Sequence, residues 1–360
     1  MKYLYGVPLL FLLLTSCAKD KKEEEAIDRA KTDWAVYKLN GNVKAVTEKS
    51  YLYANGVKGP SGRENQMLRD TDLQFDAKGH LTNLKTYVTE TAVSEEFVHE
   101  GKDKIIKRIQ YVEGKPGIVT EYLYDASGKN NTSITRRNAS NAPVDRIEMK
   151  FRGDNMVEKT TFNSQNHPID IITYDYDEKG NVKGENWFVG IQTVKVRSGY
   201  KYDDKNRKIE ETRYTPEALI SRTVYAYNDN DKLVSEETFG TDGKLEYSEK
   251  FGYDDNNNLL SQVTVQPGEN SRSEEIYTYD KNNNMLSMTF SKSGVVVNKV
   301  QYAYDKNNNL IAAKAMDGAG KVRDGRMYKY EYDANNNWTK KIVTVNGQPQ
   351  FIEQRTLSYY

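Results

Sequence analysis

Four tyrosines, Tyr253, Tyr279, Tyr304 and Tyr332, recur at intervals of 26, 25 and 28 residues, and an aspartate follows each at once. A surface row of such rings can stack on sugar faces while neighbouring Asn and Asp side chains bond hydroxyls. The same rings can instead form the packing layer of a sheet, and even spacing then follows from repetition alone. The segments DDNNN (254–258) and DKNNN (280–284) look superficially like calcium loops. A calcium loop takes ligands at alternate positions and a bidentate Glu at the twelfth. Counting from Asp254, the twelfth residue is Val265. Equivalent aspartates two strands apart stand ~9.6 Å from each other, too far for one ion with oxygens at ~2.4 Å. No metal site is expected.

The histidines are His80, His99 and His167, and no two share a short spacing. None belongs to an HExxH pair, and neither a GxSxG elbow nor a GxxxxGK[ST] phosphate loop occurs. The single cysteine, Cys17, lies near the N-terminus and leaves the rest of the chain without a thiol. These residues give no catalytic set and imply no cofactor, so the chain reads as a non-enzyme.

The elements that must position the tyrosines are repeats. Take each tyrosine as position zero and extend the series to Tyr53, Phe75, His99, Tyr124, Phe151, Tyr176, Tyr202, Tyr227 and Tyr359. The thirteen positions are 22 to 28 residues apart, and the residue two before each is large and apolar or aromatic. A spacing of two puts both side chains on one face of a strand. Four residues after position zero, the eleven internal copies carry only Gly, Asn or Asp: Gly79, Asp103, Gly128, Asn155, Gly180, Asn206, Asp231, Asn257, Asn283, Asn308 and Asn336. These residue types tolerate a left-handed backbone. The aspartate at plus one accepts bonds from turn amides, and an apolar residue then restarts a strand. Each repeat is therefore one β-hairpin. The fold class expected is all-β: a long antiparallel meander of about thirteen hairpins, roughly two dozen short strands, in a coiled or curled sheet. Twist of ~20° per strand prevents it from staying flat, so it coils, curls into a spiral or closes on itself.

The core YDYDEKGNV (174–182) resembles the YD repeats of the RHS family, and the likeness extends over roughly residues 39–360. LNGNVKAV (39–46) and RTLSYY (355–360) look like the start and stop units of small envelope lipoproteins carrying this repeat. Large RHS proteins build hollow β-shells around toxic C-terminal domains. This chain has few repeats and ends on a repeat strand, so only the repeat architecture carries over.

The N-terminus adds a location. Lys2 precedes a short apolar run (residues 4–14), below the ~20 residues of a membrane-spanning helix, and LTSC (14–17) looks like a bacterial lipobox. The resemblance implies removal of signal peptide 1–16 and lipid on Cys17, anchoring the chain to a membrane. Residues 17–33 then form the lipidated end and a charged tether, and 34–360 the repeat domain. The run Lys22-Glu23-Glu24-Glu25 is similar to acidic signals that send some Gram-negative lipoproteins to the outer face of the outer membrane.

Basic and acidic residues balance at 52 each, which removes the positive excess of a nucleic-acid binder. The expected function is a lipid-anchored interaction or scaffold module of the cell envelope, with a protein or polysaccharide partner. A carbohydrate-binding surface protein, using the aromatic face and Tyr253, Tyr279, Tyr304 and Tyr332, is the alternative.

Overall fold

The computed structural model describes residues 27–61, 70–87, 94–100, 104–191 and 193–360. The signal peptide, Cys17 and the tether up to residue 26 lie outside the described residues, as does the proposed left-handed Asp103.

The hairpin Leu245–Tyr253 and Leu259–Gln266 shows how the repeat is made. Its strands pair antiparallel, with Phe251 opposite Gln262 and Glu249 opposite Thr264. Between them, the Asn257 amide donates to the Asp254 carbonyl at 3.0 Å, and the Asp254 amide donates to the Asn258 carbonyl at 3.0 Å. This closes a tight turn with Asn257 left-handed, at φ 64°. Asp254 Oδ1 also accepts the amides of Asn256 and Asn258, at 2.9 and 2.8 Å. One short side chain thus satisfies two turn amides that the ladder cannot reach. The register slips between Gly252 and Tyr253, a bulge that accommodates the fifth turn residue.

The same geometry recurs. Gly79, Gly128, Gly180, Asn206, Asp231, Asn283, Asn308 and Asn336 all have positive φ, as their spacing requires. Asn155 does not. The chain turns two residues earlier, on Gly153 at φ 61°, and Asn155 already pairs with Arg152 as a strand residue. A glycine at the first corner of a two-residue turn makes a shorter connection, and it pre-empts the later left-handed site.

Among the described residues, twenty-five strands form one antiparallel sheet in chain order. The sheet is not an open coil. The last strand, Gln348–Tyr359, pairs with the first, Val43–Ala54, from Val43 opposite Tyr359 to Leu52 opposite Phe351. The other edge of the first strand pairs with the third, Asp70–Phe75. The second strand, Val57–Ser61, folds back on the end of the first as a side hairpin. The other twenty-four strands close into a barrel. Of the arrangements the sequence left open, the coiled or curled open sheet is thus corrected to a closed ring. An even number of alternating strands brings first and last together antiparallel, and closure pairs both edges of the ring's first and last strands. Charge locks the seam. Arg355 Nε lies 2.7 Å from Glu48 Oε2 across it, and Lys341 Nζ lies 2.6 Å from Glu353 Oε2 beside it.

The wall has two unlike faces. In the strand Val322–Tyr332, Tyr328, Tyr330 and Tyr332 are half-buried, whereas Met327 on the opposite face is 58% exposed. The aromatic face is the enclosed one, and in a barrel side chains converge on the concave side, so this face lines the interior. Barrels of 16–22 strands already leave a channel or plugged lumen. A ring of this size holds no continuous core, and its tyrosine wall remains part-wet.

Among the described residues, the clustered hydrophobic core lies at one end. Residues 27–33, read from the sequence as the end of the tether, hold a 3-10 turn at Arg29–Lys31, and a single helical turn follows at Asp33–Val36. Trp34 is buried against Leu39, Val43, Val46, Leu73, Phe75 and Leu81. Its Nε1 donates to the Val43 carbonyl at 2.8 Å. Removing such a ring costs about 3–5 kcal/mol. This strap crosses the barrel end that carries the aspartate turns.

Candidate binding cleft at the asparagine rim

The aspartate turns form one rim of the barrel, and asparagines bind them to one another. Where an asparagine follows the left-handed site, its side chain can donate back to the aspartate of its own turn. Asn258 Nδ2 reaches Asp254 Oδ2, and Asn284 Nδ2 reaches Asp280 Oδ2, both at 2.9 Å. The same amides reach forward to the next hairpin. Asn258 Nδ2 donates to Asn283 Oδ1, and Asn284 Nδ2 donates to Asn308 Oδ1, again at 2.9 Å. Asn181 makes the matching bond to Asn206 at 3.2 Å. An amide has donors and an acceptor, so one side chain can close its own turn and bridge to its neighbour.

These bonds hold the carboxylates ionised. Bonding from Asn258 and Asn284 keeps Asp254 and Asp280 below the usual carboxylate range. Asp125, bonded first by Ser127 and then by Asn130, is lowered to about 2.

The strap docks on this rim. The Asp33 amide donates to the Gly79 carbonyl at 3.0 Å, and Asp33 Oδ2 accepts the Leu81 amide at 2.6 Å. Arg29 donates to the carbonyls of Leu39 and Gly41 and lies 5.0 Å from the Trp34 ring centre. Between strap and rim lies an open cleft of about 690 Å³, within the roughly 300–1,000 Å³ usual for ligand sites. Its polar lining comprises Arg29, Lys38, Asn40 and rim asparagines including Asn284, Asn308 and Asn336, and Tyr332 and Trp338 add ring surface.

The four tyrosines singled out from the sequence are all half-buried on the inner face. Tyr253 and Tyr279 donate to the carbonyls of Leu233 and Leu259, each in the preceding hairpin and each at 2.9 Å. Tyr332 instead bonds Asp305 Oδ2 at 2.8 Å and accepts from Asn309 Nδ2. These hydroxyls tie each hairpin to the one before it. Tyr304 stands in the same row, and burial raises its pKa. Only Tyr332 of the four reaches the cleft.

The histidines stay apart. His80 bonds Asp76 through its ring and its amide, and His167 donates its amide to Asn163. Burial lowers the pKa of His99, whose Nδ1 has no partner among the described residues. No group of three or more His, Cys, Asp or Glu able to hold a metal occurs among the described residues.

The inner wall also carries carboxylates. Glu185 and Glu236 are pushed up, first by burial and then by repulsion from Glu211 and Glu249 respectively. Lys208, 2.9 Å from Glu211 and 4.5 Å from the Tyr225 ring centre, offsets part of this at Glu236, and Arg213 and Lys159 do so at Glu185. The outer wall is charged as well. Glu210 bonds Lys201 and Arg222 at 2.6 and 2.7 Å, and Lys250 faces Glu237 at 3.7 Å. A membrane-spanning barrel needs an apolar outer band ~25 Å tall, which mid-strand ion pairs interrupt. No helix among the described residues is long and apolar enough to cross a membrane.

The cleft residues Arg29, Lys38, Asn40 and Trp338 do not stand out in the sequence. The asparagine that follows five of the left-handed sites, Asn181, Asn258, Asn284, Asn309 and Asn337, was a visible signal of the rim ladder.

A family described as "Uncharacterised protein" matches residues 147–270. No curated protein matches the chain. Among solved structures, the chain is similar to the Photorhabdus luminescens Tc holotoxin pore, at 11% identity and TM-score 0.36, over 81% of this chain and 20% of that one. It is similar to the TcdB2-TccC3-TEV structure at 12% identity and TM-score 0.34, over 79% and 18%. A porin-like protein from Bacteroides uniformis is 10% identical with TM-score 0.27, over 89% and 98%. The chain spans about a fifth of the length of the two Tc toxin chains.

Proposed function

We propose that this chain is a non-catalytic interaction module of the bacterial cell envelope, held at the outer membrane by lipid on Cys17. The observation that carries the reading is the strap. The chain enters the barrel at the asparagine rim, and Ile27, where the described residues begin, is ten residues from Cys17. Ten residues span at most ~35 Å, so the anchor would keep the cleft-bearing end near the lipid and leave the opposite rim facing outward. A rigid ring with charged walls inside and out offers broad surfaces to a protein or polysaccharide partner.

Fractionation tests the anchor. Cys17→Ala should move the full-length protein from the membrane pellet to the detergent-free extract. Retention of that variant in the pellet would refute the anchor. Protease added to intact cells then separates a surface location from a periplasmic one. A turnover that disappears on substitution of a repeat residue would overturn the non-catalytic part.

A further inference from the structure

We infer that the cleft between strap and rim binds an acidic oligosaccharide, a short chain of hydroxyl-rich rings carrying carboxylate groups. The inference deepens the interaction-module reading and rests on it.

Charge comes first. The cleft lining includes two cationic residues, Arg29 and Lys38, and no carboxylate. Acidic residues are as numerous as basic ones in the chain, so this exclusion is local. It follows from the turn chemistry. Asp280 is occupied by the amides of Asn282 and Asn284 and by Asn284 Nδ2. Asp305 is occupied by two amides, Asn309 Nδ2 and Tyr332 Oη. The rim therefore turns its acids toward its own backbone and its amides toward the cleft. Arg29 is held by two carbonyls, whereas Lys38 has no side-chain partner among the described residues. Lys38 is exposed, on a left-handed backbone at φ 52°.

The amides come second. Asn308 Oδ1 accepts from Asn282 and Asn284, and Asn336 Oδ1 accepts from Asn307. Their Nδ2 groups have no partner among the described residues, and both side chains are exposed. Amide donors suit hydroxyl and carboxylate oxygens alike. Successive rungs stand two strands apart, about 9.6 Å. A small anion meets one rung at a time, whereas an extended chain meets several. Tyr332 and Trp338 supply the apolar ring surface on which sugar faces pack.

The test is calorimetric titration of the full-length protein with trimers of galacturonate, glucuronate and sialate, with neutral hexose trimers and inorganic phosphate as comparisons. At least one acidic trimer should bind, and more tightly than any neutral trimer or phosphate. Two variants preserve the fold. Lys38→Asn keeps a residue that tolerates the left-handed backbone and removes the free charge. Asn308→Asp keeps the acceptor that holds the rung and places a carboxylate in the cleft. Each should weaken the acidic trimer about tenfold or more without moving the melting temperature. Binding of phosphate alone, equal binding of neutral trimers, or no binding of any trimer would each overturn the inference. A protein that binds no trimer but leaves the membrane on Cys17→Ala substitution loses only this ligand. A protein that stays in the membrane on that substitution loses the anchor reading independently.

Discussion

Asn40 and Asn337, 297 residues apart, bond each other in both directions. The Asn40 amide donates to Asn337 Oδ1 at 2.7 Å, and Asn337 Nδ2 returns to the Asn40 carbonyl at 2.8 Å. Asn337 Nδ2 also lies 2.8 Å from Tyr359 Oη, and Asn337 is buried at 3% exposure. On the internal turns this position reaches forward to the next hairpin. Here the strap takes the place of that hairpin, so the ladder runs on across the seam.

Asn337→Ala should therefore cost more than the same change at an internal rung. It removes both bonds to Asn40 and the Tyr359 contact, about 1 kcal/mol each, made by a side chain that is itself buried. Asn258→Ala removes bonds of about 1 kcal/mol each from a less enclosed site. Urea unfolding followed by tryptophan fluorescence measures both. Equal losses would mean that the strap is not held by this pair.

The left-handed turns can be tested within the ladder. Asn257 and Asn283 have φ of 64° and 63°, but only Asn283 accepts a bond from the preceding turn, through Asn258. Valine at either site should cost about 1–2 kcal/mol, because a branched Cβ resists this backbone. Glycine removes that strain. Asn257→Gly should be neutral or mildly stabilising, whereas Asn283→Gly should lose about 0.5–1.5 kcal/mol with its rung. If glycine and valine behave alike in a thermal melt, the turn assignment fails.

Gly79 and Gly180 share a conformation, at φ 86° and 85°, but not an environment. A Cβ on Gly180 meets nothing within 4 Å, while one on Gly79 would stand 2.5 Å from Trp34 Cε3. Gly180→Ala should cost only the backbone strain, about 1–2 kcal/mol. Gly79→Ala adds overpacking of about 1–3 kcal/mol against a buried ring. The second variant should also release the strap, read as a red shift of tryptophan emission and faster cleavage near Val36. Identical behaviour of the two variants would show that Trp34 does not rest on this turn.

Local chemistry explains what the sequence disclosed. The aspartate at 254 and the left-handed Asn257 lie within one turn, so their meaning does not depend on the rest of the chain. The apolar pair Phe251 and Tyr253 marks its face by spacing alone. Closure is different. Whether Val43 meets Tyr359 depends on twist and stagger summed over all the strands between them, and no short motif encodes that sum. The cleft inherits the same difficulty, since Lys38 approaches Asn308 only when the ring closes. Asn155 was misplaced for a local reason, because Gly153 offered a shorter turn in the same window.

Acid should act on the fold in two opposing steps. Glu185 and Glu236 are raised, chiefly by burial, above their unfolded value near 4.3. The folded state then binds protons before the unfolded state does, so stability rises as pH falls from neutrality toward that value. The turn aspartates do the reverse. Asp254 and Asp280 are lowered by their asparagine partners, and Asp125 is lowered to about 2. Their contribution is complete above the unfolded aspartate value near 3.9 and is lost as pH falls through the lower folded values. Midpoints of urea unfolding should therefore climb from pH 7 toward pH 5 and fall steeply between pH 4 and pH 2. The double substitution Glu185→Gln and Glu236→Gln should reduce the climb, the rest of which falls to Glu353, also raised chiefly by burial, and leave the fall intact. A midpoint that declines steadily from pH 7 downward would show that the inner-wall carboxylates are not destabilised by their setting.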